Sequence, residues 1–203
     1  LSRLLPSLSA QQAVVTGGRV VRIQGRDTLG VAAAKVILHR VARAAQGPID
    51  STTAGRRGEF LFRFHPDTTA VYLLSSGYAG IEYFSSPVHL NPVRPDTGLW
   101  LIVSDTSSRA PISVASRHIV VSKPGKDGTR PTLEIVVLLN AGTDTRVAGD
   151  SSHPSWSGRL PPGVLNVQVG QGDVSAEAFA FRHDSVLLFA PVAPGEKQLL
   201  YTY

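Results

Sequence analysis

The chain has 203 residues, 42% hydrophobic and 17% charged, and a formal net charge of +5 at pH 7. These proportions belong to a globular protein with one large or two small domains. Cysteine is absent, which excludes a disulfide framework, thiolate chemistry and a cysteine-based zinc site. Gly 19 and Pro 14 suit a turn-rich β protein better than a helical one.

Residues 1–13, which begin LSRLLPSLSAQQ, read as a short N-terminal arm. Leu1, Leu4, Leu5 and Leu8 follow i, i+3, i+4, i+7 spacing, which places them on one face of a short helix. Pro6 fits that helix only in its first turn. The same stretch, with Ser7, Ser9 and Ala10, also reads as the end of a signal peptide, and both readings stay open. Met is absent even at position 1, which fits a processed chain or part of a longer one. An exported origin is the expectation. No apolar run approaches the roughly 18 to 20 residues that a membrane-spanning helix needs. The longest, LEIVVLL at 133–139, is strand-sized.

From position 14 onward the chain predicts short strands bounded by Gly, Pro, Asp, Asn or Ser. In the first half they cover 14–23, 32–41, 59–65, 70–76, 81–89 and 99–104. In the second half they cover 112–122, 132–140, 164–169, 177–183, 185–190 and 197–203. Phe60, Phe62 and Phe64 alternate with Leu61, Arg63 and His65, so the phenylalanines share one face. The polar stretch from Asp50 to Gly58 reads as the loop that leads into them. Trp100, inside LWLIV, and Phe84 are expected in the core. So many one-sided strands predict an all-β protein of two consecutive β-sandwiches. The expected domains are 14–104 and 112–203, with DTSSRAP at 105–111 as the linker. SKPGKDGTRP at 122–131 predicts a hairpin loop in the second domain.

Charge is unevenly placed. Residues 1–110 carry 12 Lys+Arg and 7 Asp+Glu, and residues 111–203 carry 8 of each. The basic first half reads either as a solvated face or as a docking surface for an acidic protein or lipid headgroups. No dense basic run is interleaved with aromatics, so nucleic acid is not an expected partner.

GRVVRIQGRDTLGVAAAKVILHRV, then DSTTAGRRGEFLFRF and AVYLLSSGYAG, resemble the carboxypeptidase regulatory-like domain, a transthyretin-like β-sandwich. The resemblance covers residues 14–104. Gly18-Arg19-Val20 stands for its opening strand, Gly30-Val31 for the turn before the next one, and Gly58 for the glycine before Phe-x-Phe. Tyr72 precedes Gly77 in the strand that follows. The chain departs from the family in the inserted AGRR before Gly58, which adds Arg56 and Arg57. In the second half, Asn140-Ala141-Gly142 and Pro194-Gly195-Glu196 resemble turns of immunoglobulin-like modules.

Catalytic signatures are missing. The six histidines, at 39, 65, 89, 118, 153 and 183, form no local zinc motif. GDSSHPSW at 149–156 brings Asp, Ser and His together, but adjacent residues of one loop rarely form a triad. It reads as a turn capped by Asp150 and Ser151. VGQGDVS at 169–175 lacks the lysine and helix of a phosphate loop. Transthyretin-like hydroxyisourate hydrolases end in a Tyr-Arg-Gly-Ser type motif, where this chain ends Tyr201-Thr202-Tyr203.

The expectation is therefore a non-catalytic exported protein without a cofactor or metal, periplasmic or extracytoplasmic and peripheral to the membrane. It would dock on or bridge subunits of a membrane protein complex, for instance a bacterial photosynthetic reaction centre with its light-harvesting antenna. Contact would run through Leu1, Leu4, Leu5, Leu8, Arg56 and Arg57. The alternative is a carbohydrate-binding β-sandwich module, as in starch-binding-like relatives of the fold. Its platform would come from Trp100, Trp156, Tyr78, Tyr83 and Phe84.

Overall fold

The computed structural model describes residues 12–43 and 45–203. Leu1, Leu4, Leu5 and Leu8 lie outside the described residues. The protein is all-β, and among the described residues the only helical piece is a 3-10 turn at Ala176–Ala178. Two compact units follow one another, the first ending at Val103 and the second spanning Ser104–Tyr203.

The first unit contains β1 (Val14–Gln24), β2 (Asp27–Gly30), β3 (Lys35–Val41), β4 (Gln46–Thr53), β5 (Glu59–Phe64), β6 (Val71–Tyr78), β7 (Ile81–Phe84) and β8 (Asp96–Val103). One sheet is built around β1. β5 pairs antiparallel with its first half and β2 with its second, while β8 runs parallel along the opposite edge. The other sheet has the order β4-β3-β6-β7. Phe60, Phe62 and Phe64 are buried, as their spacing predicts, and Val20, Leu101 and Val103 join them from neighbouring strands. Val36, Leu38, Tyr72 and Leu74 form the buried side of the second sheet. The Phe64 and Tyr72 rings, 4.9 Å apart, join the two layers. Burying each such side chain contributes about 1.5 to 3 kcal/mol.

Two strands of this unit, β2 and β4, lie outside the predicted ranges and leave no hydrophobic pattern in the sequence. β4, which includes Asp50–Thr53, pairs only with β3 among the described residues and is solvated over most of its length. An edge strand with no apolar side needs no period-2 alternation, so its polar residues read as loop.

The second unit contains β9 (Thr106–Ser107), β10 (Ser113–Val121), β11 (Thr132–Asn140), β12 (Thr145–Arg146), β13 (Trp156–Arg159), β14 (Gln168–Val169), β15 (Phe179–Arg182), β16 (Ser185–Leu188) and β17 (Gly195–Thr202). Its sheets run β10-β11-β17-β14 and β13-β16-β15, with a parallel pair β9-β12. The core gathers Val136, Leu138, Leu188, Leu199 and Tyr201, with Trp156 and Phe179 packed against it. The predicted hairpin at 122–131 joins β10 to β11 and is closed by Ser122 N–H donating to Pro131 C=O at 2.9 Å. The segment 105–111 contains β9, which pairs with β12.

Several predicted strands are shorter than their apolar patterns: 32–41 begins only at Lys35, and 81–89 ends at Phe84. Of 164–169 only Gln168–Val169 is strand, because Asn166 takes a positive φ of 53° and breaks the extended chain. Ala178 belongs to the 3-10 turn, so that strand begins at Phe179. β16 ends at Leu188, two residues early.

Candidate docking face on the first unit

The outer face of the β1 sheet follows from register. Arg19 stands opposite Glu59 on β5 and opposite Trp100 on β8, so the three side chains emerge on one face. Gly17 faces Leu61, and Val21 faces Ile102. Within β8, Leu101 and Val103 turn inward and are buried, while Trp100 and Ile102 are 55% and 44% exposed. Leu61 is 59% exposed. Gly17 makes room for it, since a Cβ there would stand 2.9 Å from Leu61 Cδ1. The result is an open apolar strip with an arginine at its centre.

Trp100 and Phe84 are therefore not core residues. LWLIV reads as continuous core, but strand alternation sends its second and fourth residues to the outer face, where both stay about half exposed although Val21 beside Ile102 is buried. Phe84 is 57% exposed on the other sheet, beside His39. Tyr83 is buried, and Tyr78 and Trp156 are half-buried. Within the first unit Trp100 and Phe84, the two open aromatics, belong to different sheets and do not form one platform; Trp156 lies in the second unit.

Arg56 and Arg57 sit in a turn, both exposed, on a backbone that is firmly held. Gly58 N–H donates to Gly55 C=O at 3.1 Å and closes the turn. The Arg57 carbonyl accepts two hydrogen bonds from the Arg19 guanidinium, at 2.9 and 2.8 Å. The Arg57 N–H donates to the Glu59 carboxylate at 2.8 Å. Hydrogen bonds from its own backbone and from the Arg57 amide hold the Glu59 carboxyl below the usual carboxylate range. Gly58 C=O accepts from Val20 N–H at 2.8 Å, where β1 changes partner from β5 to β2. Gly58 has φ +80°, and a Cβ there would meet Val20 O at 2.1 Å. Only glycine fits, so the turn presents its two arginines from a fixed base.

The other polar clusters have structural explanations. His153 Nδ1 lies 2.8 Å from Asp150 Oδ2, and the Ser152 and His153 amides donate to Asp150 Oδ1. Hydrogen bonds from the Ser152 amide and then from His153 hold the Asp150 carboxyl low. Asp150 thus caps the predicted turn. The Ser155 hydroxyl is buried and directed at the Leu188 and Ala190 carbonyls. His39 bonds Ser75 at 2.7 Å, and His183 occupies a tight turn at φ 51°. Among the described residues no three His, Asp or Glu side chains are grouped to hold a metal, and no helix is long and apolar enough to cross a membrane.

Sequence reasoning missed a buried carboxylate. Glu134 is fully buried in β11, where LEIVVLL reads as an apolar run. Arg117 Nε lies 2.6 Å from Glu134 Oε1, and the Tyr201 and Tyr203 hydroxyls donate to it at 2.5 and 3.2 Å. Its single acid among aliphatic residues was the available signal, since a buried charge requires partners.

No protein-family model, curated protein or solved structure matches this chain.

Proposed function

We propose that this chain is a non-catalytic, membrane-extrinsic interaction protein that docks on a membrane protein complex or bridges its subunits. The observation that carries this reading is the outer face of the β1 sheet. Leu61, Trp100 and Ile102 are open there around Arg19, whose guanidinium bonds the Arg57 carbonyl of the turn that carries the exposed Arg56 and Arg57. Tryptophan and arginine are the residue types that dominate protein–protein contacts, and open apolar strips on a soluble face mark such contacts. The exposed Arg56 and Arg57 add attraction for acidic side chains or anionic headgroups at an extracytoplasmic membrane surface. The first unit is read as a carboxypeptidase regulatory-like sandwich. Gly58 at a glycine-only position and the buried Phe-x-Phe support that resemblance.

Co-purification with native membranes solubilised in mild detergent tests the reading. The chain should be recovered with a membrane complex. Trp100→Ala and the pair Arg56→Glu and Arg57→Glu should lose that association while remaining folded. Unchanged association in both folded variants would overturn it. A glycan array supplies the control: binding that Trp100→Ala abolishes would favour the carbohydrate module instead.

A further inference from the structure

We propose that the free edge of β10 is a strand-addition site whose occupant is an extended, acidic segment of a partner protein. β10 ends its sheet, with β11 its only neighbour among the described residues. It is nine residues long, and every residue except Ser116 is exposed. Val114, Ile119, Val120 and Val121 are 46–55% exposed. Edge strands of this length are normally blunted by charge, proline or a bulge. Here the bulge between Val114 and Ser116 affects only the start. Arg117–Val121 remains straight.

The direction of each backbone group follows from one hydrogen bond. Ser122 N–H reaches Pro131 C=O on the β11 side, and the pairing is regular from Ser116 to Val121. Backbone direction alternates along an antiparallel pair. His118 and Val120 therefore also bond toward β11. Arg117, Ile119 and Val121 direct their N–H and C=O groups at the open edge. An added strand would take its main-chain hydrogen bonds from these three residues. Its alternate side chains would meet Val120 on one face and Ile119 and Val121 on the other.

Charge selects the occupant. From Arg109 to Arg130 the chain has five basic residues and one acid, Asp127. Asp127 already accepts the amide and hydroxyl of Thr129, and Arg117 is paired with Glu134. Lys123, Lys126 and Arg130 are exposed at the hairpin end of the edge. A second copy paired antiparallel would set the start of its β10, which has no acid from Arg109 to Val121, against this hairpin end, whereas a strand with carboxylates there complements it. The proposal concerns the second unit and does not rest on the docking face of the first.

The test is a phage-displayed library of random peptides selected on the whole chain. Ile119→Pro removes one outward N–H and spares the β10–β11 pairing, since proline is tolerated at an edge that faces solvent. Circular dichroism and the thermal midpoint verify its fold. The selected peptides should alternate apolar residues and carry acids toward one end. They should bind about tenfold more weakly to Ile119→Pro, and to the pair Lys123→Glu and Lys126→Glu. If Ile119→Pro does not fold, N-methylating alternate amides of the selected peptide replaces it, and unchanged binding then overturns the proposal. Absence of any selected peptide overturns it, as does equal binding to the folded variants. Self-association that Ile119→Pro abolishes also overturns it, by making a second copy the occupant.

Discussion

Arg117 Nε stands 2.6 Å from Glu134 Oε1, and the carboxylate it meets is wholly buried while Arg117 itself keeps 40% exposure. The hydrogen bond to Glu134 holds the Arg117 guanidinium above its usual pKa. Arg117 Nη2 also donates to the Arg159 carbonyl at 3.0 Å, linking β10 to the end of β13. This pair connects an edge strand to the interior of the second unit.

Arg117→Met leaves the Glu134 charge buried without its cation. Loss of one partner from a buried pair costs about 3 to 5 kcal/mol, and the exposure of Arg117 places this case near the lower end. Adding Glu134→Gln should recover part of the loss, because the amide oxygen still accepts from the tyrosines. Chemical denaturation of the single and double variants gives both values. A single variant as stable as the unmodified chain would show that the tyrosines alone satisfy Glu134.

Alkaline pH acts on the same cluster. Burial, then the hydrogen bond to Glu134, raises the Tyr201 hydroxyl well above its ordinary range. Burial, then the Glu134 charge, raises Tyr203. A folded-state pKa raised above the unfolded value gives stability that is full below the unfolded pKa and lost as pH rises toward the folded one. The thermal midpoint should therefore hold up to about pH 10 and fall above it, with the Tyr201 share of the tyrosinate absorbance, read as the difference from Tyr201→Phe, appearing only on unfolding. Tyr201→Phe should lower stability at neutral pH and flatten the alkaline fall.

Asn140 is 2% exposed and makes three hydrogen bonds. Its Nδ2 donates to the Asp144 and Val192 carbonyls, each at 2.8 Å, and its Oδ1 accepts from Gly142 N–H at 3.0 Å. Asn140→Ala strands these buried backbone groups and should cost about 2 to 3 kcal/mol by denaturant unfolding. Asn140→Asp should also destabilise, because it replaces both donated bonds with repulsion between oxygens.

Gly58→Ala should destabilise the first unit by more than about 1 kcal/mol, since the φ of +80° disfavours any side chain and an added Cβ would lie 2.1 Å from Val20 O. Arg19→Ala should cost less, because that guanidinium is only half-buried, but it frees the Arg57 carbonyl. Faster hydrogen exchange at the Arg57 and Gly58 amides, with the thermal midpoint nearly unchanged, is the expected signature. Unaltered exchange would mean that Glu59 and Gly58 hold the turn without Arg19.

The phenylalanines of β5 were legible because a strand buried on one side must repeat every second residue, and Phe60, Phe62 and Phe64 do so in a row. The glycine before them was legible for the same kind of local reason: a turn that needs φ near +80° excludes other residues. The same local logic makes the described residues all-β and places the hairpin between β10 and β11. The candidate site was only half legible. Arg56 and Arg57 could be found from their turn, but not the Arg19 guanidinium that holds it, nor Trp100 and Leu61 on the same face. Those meetings depend on which residue stands opposite which across paired strands, and pairing is non-local. β4 left no core pattern because an edge strand open to solvent is not required to have one, whereas β10, also an edge, was legible as a strand at 112–122. Glu134 passed as part of an apolar run until strand register set Arg117 beside it. Local backbone geometry and one-sided burial are written into short stretches of sequence; the partners across a sheet are chosen only when the strands assemble.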